Sequence, residues 1–452
     1  SFPLVPWSAA ERYGHNYDRY YWFAGGNFIG AYKGLAALPL SLLAALVVIL
    51  SNGMPVWESY ASYYMGGYAG TYSSYLLIFI FSALYAKFMD SFGCATAVGY
   101  KLIDWFGKKN VILVSVLITS VLTYGGVSLF VCIFVVGPIM FLLFKEANLP
   151  RHLTVACLVI GSSTYTMTSL PGTPALTNII PTQFLGTKMT AAPILGILCS
   201  IAMFVMCMVY ARLQEKKAIA AGEGWTYPAH MNTGAYEIAD RSTLPAAWKS
   251  FLPMIVLILF IIIGGRFISD SALLTVAAML SGTILVVLFN LDRLKGKSIK
   301  QLLGVGLNDG ISAIGGLAAV VSFGTVVQNS AAFQVVVDWV LSIKMHPYLE
   351  GIFSTAVISG ITGSPSGGLR LTLQILGENF IASGCDLEVL HRLISVAAGS
   401  LDTLPHAAGL FLVLSYLGLS HKEGYKHVFW TSVAIPAITV LVAAGACILL
   451  GI

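Results

Sequence analysis

The chain has 452 residues, of which 57% are hydrophobic and only 10% are charged, with a formal net charge of +5. Because a soluble domain carries about a quarter charged residues, this composition excludes a soluble globular protein. Apolar runs approach the length of about 20 residues that crosses a bilayer core; they include 35–50, 251–263, 273–289 and 428–452. The chain is therefore predicted to be an all-α integral membrane protein. Its basic residues lie in short loops and indicate orientation, so no nucleic-acid partner is expected.

Residues 1–33 form a polar segment rich in Tyr and Trp, without the apolar stretch of a signal peptide. Aromatic residues of this kind are typical of the membrane interface. We expect an interfacial segment whose N-terminus lies on the cytoplasmic side.

The rest of the chain divides into two halves, 34–211 and 250–452, joined by a basic linker at 212–249 that is predicted to be cytoplasmic. Similar features follow in the same order in each half, at an offset of about 235–240 residues. A break rich in Gly and Ser comes first (123–126 and 362–368), and a break rich in Thr and Pro comes second. The second breaks lie at 169–174 and 402–406. This order predicts an internal duplication.

The first break of each half is predicted to be the tip of a re-entrant hairpin, and the second to interrupt a transmembrane helix. The hairpins are expected at about 110–145 and about 349–383, and the broken helices at about 152–186 and about 388–419. Basic residues flank the first hairpin: Lys108, Lys109, Lys145 and Arg151. Acidic residues flank the second hairpin: Glu350, Asp386 and Glu388. Opposite flanking charge places the hairpins on opposite sides of the membrane. Two halves related by inversion are typical of secondary transporters.

Broken helices expose peptide groups at membrane depth. Their half-helix N-termini favour anions, and their free carbonyl groups can hold a coupling cation. One such break is more often a structural kink, but four breaks in paired positions predict a substrate site between the hairpin tips and the broken helices. The candidate substrate-binding residues are Gly125, Gly126, Ser128, Thr168, Ser169, Gly172, Thr173, Asn178, Ser364, Ser366, Gly367, Gly368, Arg370, Thr403 and His406.

Ionisable residues inside apolar stretches are functional candidates. Asp402 is the first candidate for carrying a coupling proton, with Asp90 and His406 as further coupling-ion candidates; the last two can instead cap helices. Arg370 is a candidate partner for a substrate carboxylate, or it pairs internally. His391 lies near a predicted loop and is interpreted as solvated or interfacial. No metal motif or nucleophile elbow is present in the sequence, so neither enzymatic activity, a metal nor a cofactor is expected.

From about residue 33 onward the sequence resembles the gluconate permease (GntP) family of the ion transporter superfamily. The resemblance is carried by five short segments: 90–95, 125–130, 170–175, 363–364 and 398–400. It implies proton-coupled symport of a small organic acid anion across the bacterial cytoplasmic membrane. It also implies an elevator fold, in which a transport domain moves against the scaffold of a homodimer.

Two departures from the family pattern concern the substrate. The second break reads Asp402-Thr-Leu-Pro-His406 where the family has Ser-His-x-Asn-Asp, and the segment 170–175 lacks the family's His and doubled Pro. Fewer hydrogen-bonding groups favour a short hydroxy- or keto-monocarboxylate over a gluconate-like sugar acid. A sodium-coupled di- or tricarboxylate carrier and a channel-like anion pathway remain as alternatives.

Overall fold

The computed structural model describes residues 37–124, 129–173, 175–227, 241–264, 267–268, 270–294 and 297–451. All regular secondary structure in these residues is helical. Five of the described helices are long and apolar enough to cross a membrane, with a sixth if a pair bent by 102° counts as one span. The predicted all-helical, apolar architecture is therefore confirmed.

The first half contains nine α-helical segments within the described residues, besides a short 3-10 helix at Lys108–Asn110. They are α1 Ala37–Ser51, α2 Val56–Ser91, α3 Cys94–Phe106, α4 Val111–Tyr124, α5 Leu129–Glu146, α6 His152–Ser163, α7 Tyr165–Thr168, α8 Leu176–Leu185 and α9 Pro193–Ala220. Helices α3 and α4 are the bent pair, and Gly107 stands between them with φ +76°, which a glycine adopts without strain.

The second half likewise contains nine helices within the described residues. They are α10 Ala247–Gly264, α11 Ser271–Phe289, α12 Ile299–Gln328, α13 Ala331–Ser342, α14 Pro347–Thr362, α15 Pro365–Ala382, α16 Leu387–Ala398, α17 Ala408–Tyr416 and α18 His421–Leu450. Side chains that accept hydrogen bonds from first-turn N–H groups begin several of these helices; Ser330, Ser364, Asp386 and Ser420 do so for α13, α15, α16 and α18.

The long helices α2 and α12 cross in close contact. A Cβ added at Gly67 of α2 would lie 2.9 Å from the Cα of Ser322, and one at Gly310 of α12 would lie 2.8 Å from the Cα of Ile80. Small residues allow membrane helices to approach this closely. Helix α1 of the first half packs on α12 of the second half, while α11 of the second half packs on α2 of the first, so each long helix also contacts a helix of the other half.

The remaining helices of the two halves interlock. Helix α8 of the first half packs against α15 and α16 of the second, and α9 packs against α18. Hairpin arms α14 and α15 turn at Gly363 (φ +60°), and Ser364 caps α15 by accepting a hydrogen bond from the N–H of Gly367 at 3.2 Å. The interruption is narrower than the break at 362–368, because α15 already begins at Pro365. The tip of the first hairpin, 125–128, lies outside the described residues.

Two helices are interrupted in their middle. Residues 169–173 are non-helical between α7 and α8, and residues 399–407 are non-helical between α16 and α17. Proline contributes to both interruptions, since Pro171 and Pro405 have no N–H to donate to a helix. We call these segments the first break and the second break.

Candidate functional site

The two breaks lie against one another and against the hairpins. A Cβ added at Gly399, where the second break begins, would lie 2.5 Å from Cγ2 of Thr168, where the first begins. The Tyr124 hydroxyl, at the end of hairpin arm α4, donates to the carbonyl of Pro171 at 3.3 Å. On the other side, Nε2 of His406 donates to the carbonyl of Gly360 in α14 at 2.8 Å. Elements from both halves therefore meet around the interrupted backbone.

Most polar side chains of the first break bond to nearby groups. The Thr168 hydroxyl donates to the carbonyl of Thr164 at 2.6 Å, and the Ser169 hydroxyl lies 2.7 Å from the Ser200 hydroxyl. The Asn178 amide donates to the carbonyls of Thr173 and Met189 at 2.9 and 2.8 Å. These candidates thus stabilise the broken backbone, as irregular structure at membrane depth requires.

Thr173 differs from the other candidates of the first break. Its side chain is fully buried, and its Oγ1 has no hydrogen-bond partner among the described residues. Native proteins rarely leave such an atom unpaired, so each case calls for an explanation, and a role in ligand binding is one. The neighbouring Gly172 has φ +81°, a conformation that favours glycine and brings bare backbone close to the same place.

The second break holds a buried carboxylate. Asp402 is 6% exposed, and its Oδ1 has no hydrogen-bond partner among the described residues. The buried hydroxyl of Thr403 is also unpaired, as are those of Thr355 and Ser359 on the adjacent helix α14. Burying a charged group without a full set of partners is costly, so a proton, a cation or a polar ligand at Oδ1 would stabilise this carboxylate.

The candidate substrate-binding residues of the hairpins differ in burial and in their contacts. Ser366, Gly367 and Gly368 lie in the first turn of α15, and the Ser366 hydroxyl is 3.5 Å from that of Ser364. A Cβ at Gly368 would lie 2.5 Å from the Cα of Ser359, so this glycine permits close packing of the two arms. Arg370 is exposed. Gly125, Gly126 and Ser128 lie outside the described residues.

Asp90 lies at the C-terminal end of α2. Arg293 donates to the adjacent carbonyl of Phe92 at 3.5 Å, and the Lys297 ammonium donates to the carbonyl of Ser91. Desolvation and the charge of Arg293 lower the pKa of Lys297. The charge of Asp90 raises the pKa of Lys297, so Asp90 interacts with this basic loop.

His391 and Arg392 were not recognised from the sequence as part of this region. The interpretation of His391 as solvated or interfacial is wrong, because its side chain is fully buried in α16. Its Nδ1 lies 2.7 Å from the Thr187 hydroxyl, and its Nε2 lies 3.1 Å from Oδ1 of Asn178. The signal was two ionisable residues near the start of the predicted broken helix at about 388–419, since ionisable residues inside apolar segments are functional candidates by default.

Comparison with known proteins agrees with this architecture. The pattern of the GntP family permeases matches residues 35–452. The chain is 31% identical over 439 residues to a Bacillus subtilis (strain 168) protein named uncharacterized transporter YxjC, covering 88% of this chain and 92% of that protein. The resemblance inferred from the short motifs is thereby confirmed. The chain belongs to the GntP family of permeases and is a membrane transporter.

Proposed function

We propose that this protein is a proton-coupled symporter of a small organic acid anion, with the two breaks as its substrate and proton site. The observation that carries the proposal is the buried carboxylate of Asp402 in the second break, whose Oδ1 has no hydrogen-bond partner among the described residues. Intramembrane carboxylates commonly serve as proton relays in transporters. Family membership supports transport as the overall activity.

The ends of the half-helices support an anionic substrate. Helices α8 and α17 start at the two breaks, after Ala175 and Ala407, and neither receives a side-chain cap. Their first-turn N–H groups are therefore left for other acceptors, whereas α15 and α16 are capped by Ser364 and Asp386. A carboxylate is a suitable acceptor, because a helix N-terminus carries positive potential.

Proton coupling follows from the cost of an unpaired charge in an apolar interior. When Asp402 binds a proton, the substrate-loaded site carries one negative charge fewer and crosses the membrane interior at lower cost. The segments 170–175 and 402–406 carry fewer hydrogen-bonding groups than the family pattern, which supports a short hydroxy- or keto-monocarboxylate over a polyhydroxylated sugar acid.

An inverted duplication and elevator movement complete the proposal. Helices α2 to α9 have counterparts of matching order in α12 to α18 when α6 and α7 together are matched with α16. The reciprocal glycine contacts of Gly67 with Ser322 and of Gly310 with Ile80 support a two-fold relation between the long helices. We assign α2 and α12 to a scaffold, which a homodimer in the cytoplasmic membrane would share, and the interlocked helices to the moving domain.

Uptake by proteoliposomes tests the proposal. Purified protein should accumulate radiolabelled lactate, pyruvate or gluconate when the outside is acidic, without sodium. Asp402→Asn should abolish the dependence on the proton gradient, whereas Asp292→Asn, which removes an exposed carboxylate, should not. Proton-driven uptake that persists in Asp402→Asn would exclude Asp402 as the proton carrier.

A sodium-coupled carrier is the second candidate. Carboxylate and hydroxyl oxygens are ligands for hard cations, and the unpaired oxygens of Asp402, Thr403, Thr355 and Ser359 are of these types. Uptake that requires a sodium gradient and ignores the proton gradient would favour this candidate. Ohmic anion current without accumulation would instead indicate a channel.

A further inference from the structure

The guanidinium of Arg392 is a buried positive charge behind the first break. Arg392 is the largest fully buried side chain in the described part of the chain. Its guanidinium remains protonated in proteins. A buried charge normally has an ionic partner. The groups around the Arg392 guanidinium therefore determine whether its positive charge is neutralised.

The acceptors around Arg392 are all neutral. Its guanidinium donates to the carbonyls of Ala191 (2.9 Å), Met189 (3.3 Å) and Thr168 (3.4 Å), and to Oδ1 of Asn178 (3.1 Å). Among the described residues, none of the ion pairs includes Arg392. Every guanidinium nitrogen is hydrogen-bonded, but the positive charge is not cancelled.

The nearest acidic residue along the helix does not neutralise it. Glu388 lies one turn earlier in α16, is exposed, and accepts a hydrogen bond from the N–H of Ala192 at 3.3 Å. The start of α9 adds positive potential, because a Cβ at Gly196 in its first turn would lie 3.1 Å from Nε of Arg392. The same Cβ would lie 2.6 Å from the carbonyl oxygen of Ser169, so the helix end also adjoins the break.

A hydrogen-bonded chain joins this charge to the unpaired hydroxyl of the first break. Arg392 donates a hydrogen bond to Oδ1 of Asn178, and the amide nitrogen of Asn178 donates to the carbonyl of Thr173 at 2.9 Å. The backbone of Thr173 is therefore fixed from the side of Arg392, while its hydroxyl stays free for another partner. The guanidinium thus positions the break without any need to contact a ligand.

From these contacts we infer that Arg392 is the residue that makes the first break selective for anions. It acts as a positioning residue, by its charge and through Asn178. The inference rests on the proposed function for the identity of the anion, a carboxylate. The positive potential itself is a property of the folded protein, so it can be measured without a substrate.

The measurement uses a cysteine at the start of α8. Leu176 follows the first break and is 53% exposed, so Leu176→Cys offers a thiol to charged methanethiosulfonate reagents. The probes are the anionic ethylsulfonate and the cationic trimethylammonium-ethyl reagents, and labelling is read by mass spectrometry of the peptide that contains position 176. The ratio of the two rates cancels the thiolate fraction and reports the local potential.

Three variants of Arg residues separate charge from shape in this background. Arg392→Gln should lower the anionic-to-cationic rate ratio at least about tenfold, because one unit charge acts on both reagents with opposite sign in a medium of low dielectric constant. Arg392→Lys, which keeps the charge, should stay within about threefold of the parent ratio. Arg241→Gln is the matched control, because it removes an exposed Arg that pairs with Asp104, and it should leave the ratio unchanged.

Asn178→Asp covers the case in which Arg392→Gln does not fold. It places a carboxylate at the atom that Arg392 already contacts, and it should lower the ratio as well. An unchanged ratio in the folded variants, or no reaction of Leu176→Cys with either reagent, would overturn the inference. Failure of the wild-type protein to take up any organic acid would overturn the proposed function instead, and the rate ratio would still report on Arg392.

Discussion

Replacing Gly368 by Ala tests the close packing of hairpin arms α14 and α15. The new Cβ would lie 2.4 Å from the backbone N and 2.5 Å from the Cα of Ser359. An ordinary contact with a Cβ is 3.4 Å or longer, so the arms must move apart by about 1 Å; overpacking of this kind costs about 1–3 kcal/mol. Because Ser359 contributes backbone atoms as well as its side chain, rotation of a side chain cannot relieve the overlap.

A glycine in the same helix provides the control. A Cβ at Gly377 would meet only Cβ of Phe184, at 3.9 Å, so Gly377→Ala gains the helix propensity of Ala, about 1 kcal/mol, without overlap. The two variants should therefore differ by about 2–4 kcal/mol. For a chain of this size we expect the Tm of Gly368→Ala in detergent to lie about 5 °C below that of Gly377→Ala.

The assay is thermal unfolding followed by intrinsic tryptophan fluorescence, with both variants purified in parallel. Equal Tm values for the two variants would refute the reasoning, since they would show that the arms are not in contact at Gly368. A lower Tm for Gly377→Ala would refute it in the same way.

Two further predictions concern a helix cap and an ion pair. Ser364→Ala removes the cap of α15 and should lower the free energy of unfolding by about 1 kcal/mol. Ser366→Ala should lower it less, because the Ser366 hydroxyl contacts only Ser364 in the described contacts. Equal Tm values for the two variants would contradict the cap. Although desolvation opposes the effect, hydrogen bonds from Lys108 and Tyr100 lower the pKa of Glu146 overall. Its contribution to stability is therefore present above its unfolded pKa of about 4.3 and lost as pH falls through the lower pKa of the folded protein. The Tm values of wild type and Glu146→Gln should differ at pH 7 and converge below about pH 4; a constant difference would contradict the ion pair.

Local features of the sequence were sufficient to predict the helical membrane architecture. Hydropathy depends on runs of neighbouring residues, and helix interruption depends on local chemistry such as the missing N–H of Pro171 and Pro405. The same reasoning located the breaks at 169–174 and 402–406, and the structure has non-helical backbone at 169–173 and 399–407. It also selected Asp402, because one carboxylate in an apolar stretch is visible without knowledge of the fold.

Only the tertiary structure shows which polar groups are hydrogen-bonded and which remain unpaired. Asn178 and Thr173 read alike in the sequence, yet the Asn178 side chain is saturated by partners that include Arg392, while the Thr173 hydroxyl is unpaired. The burial of Arg392 arises from contacts with Ala191 and Thr168, which are 201 and 224 residues away in the chain. Hydrophobicity and helix breaks are properties of adjacent residues, but hydrogen-bond satisfaction and electrostatic potential depend on the groups that folding brings within a few ångströms.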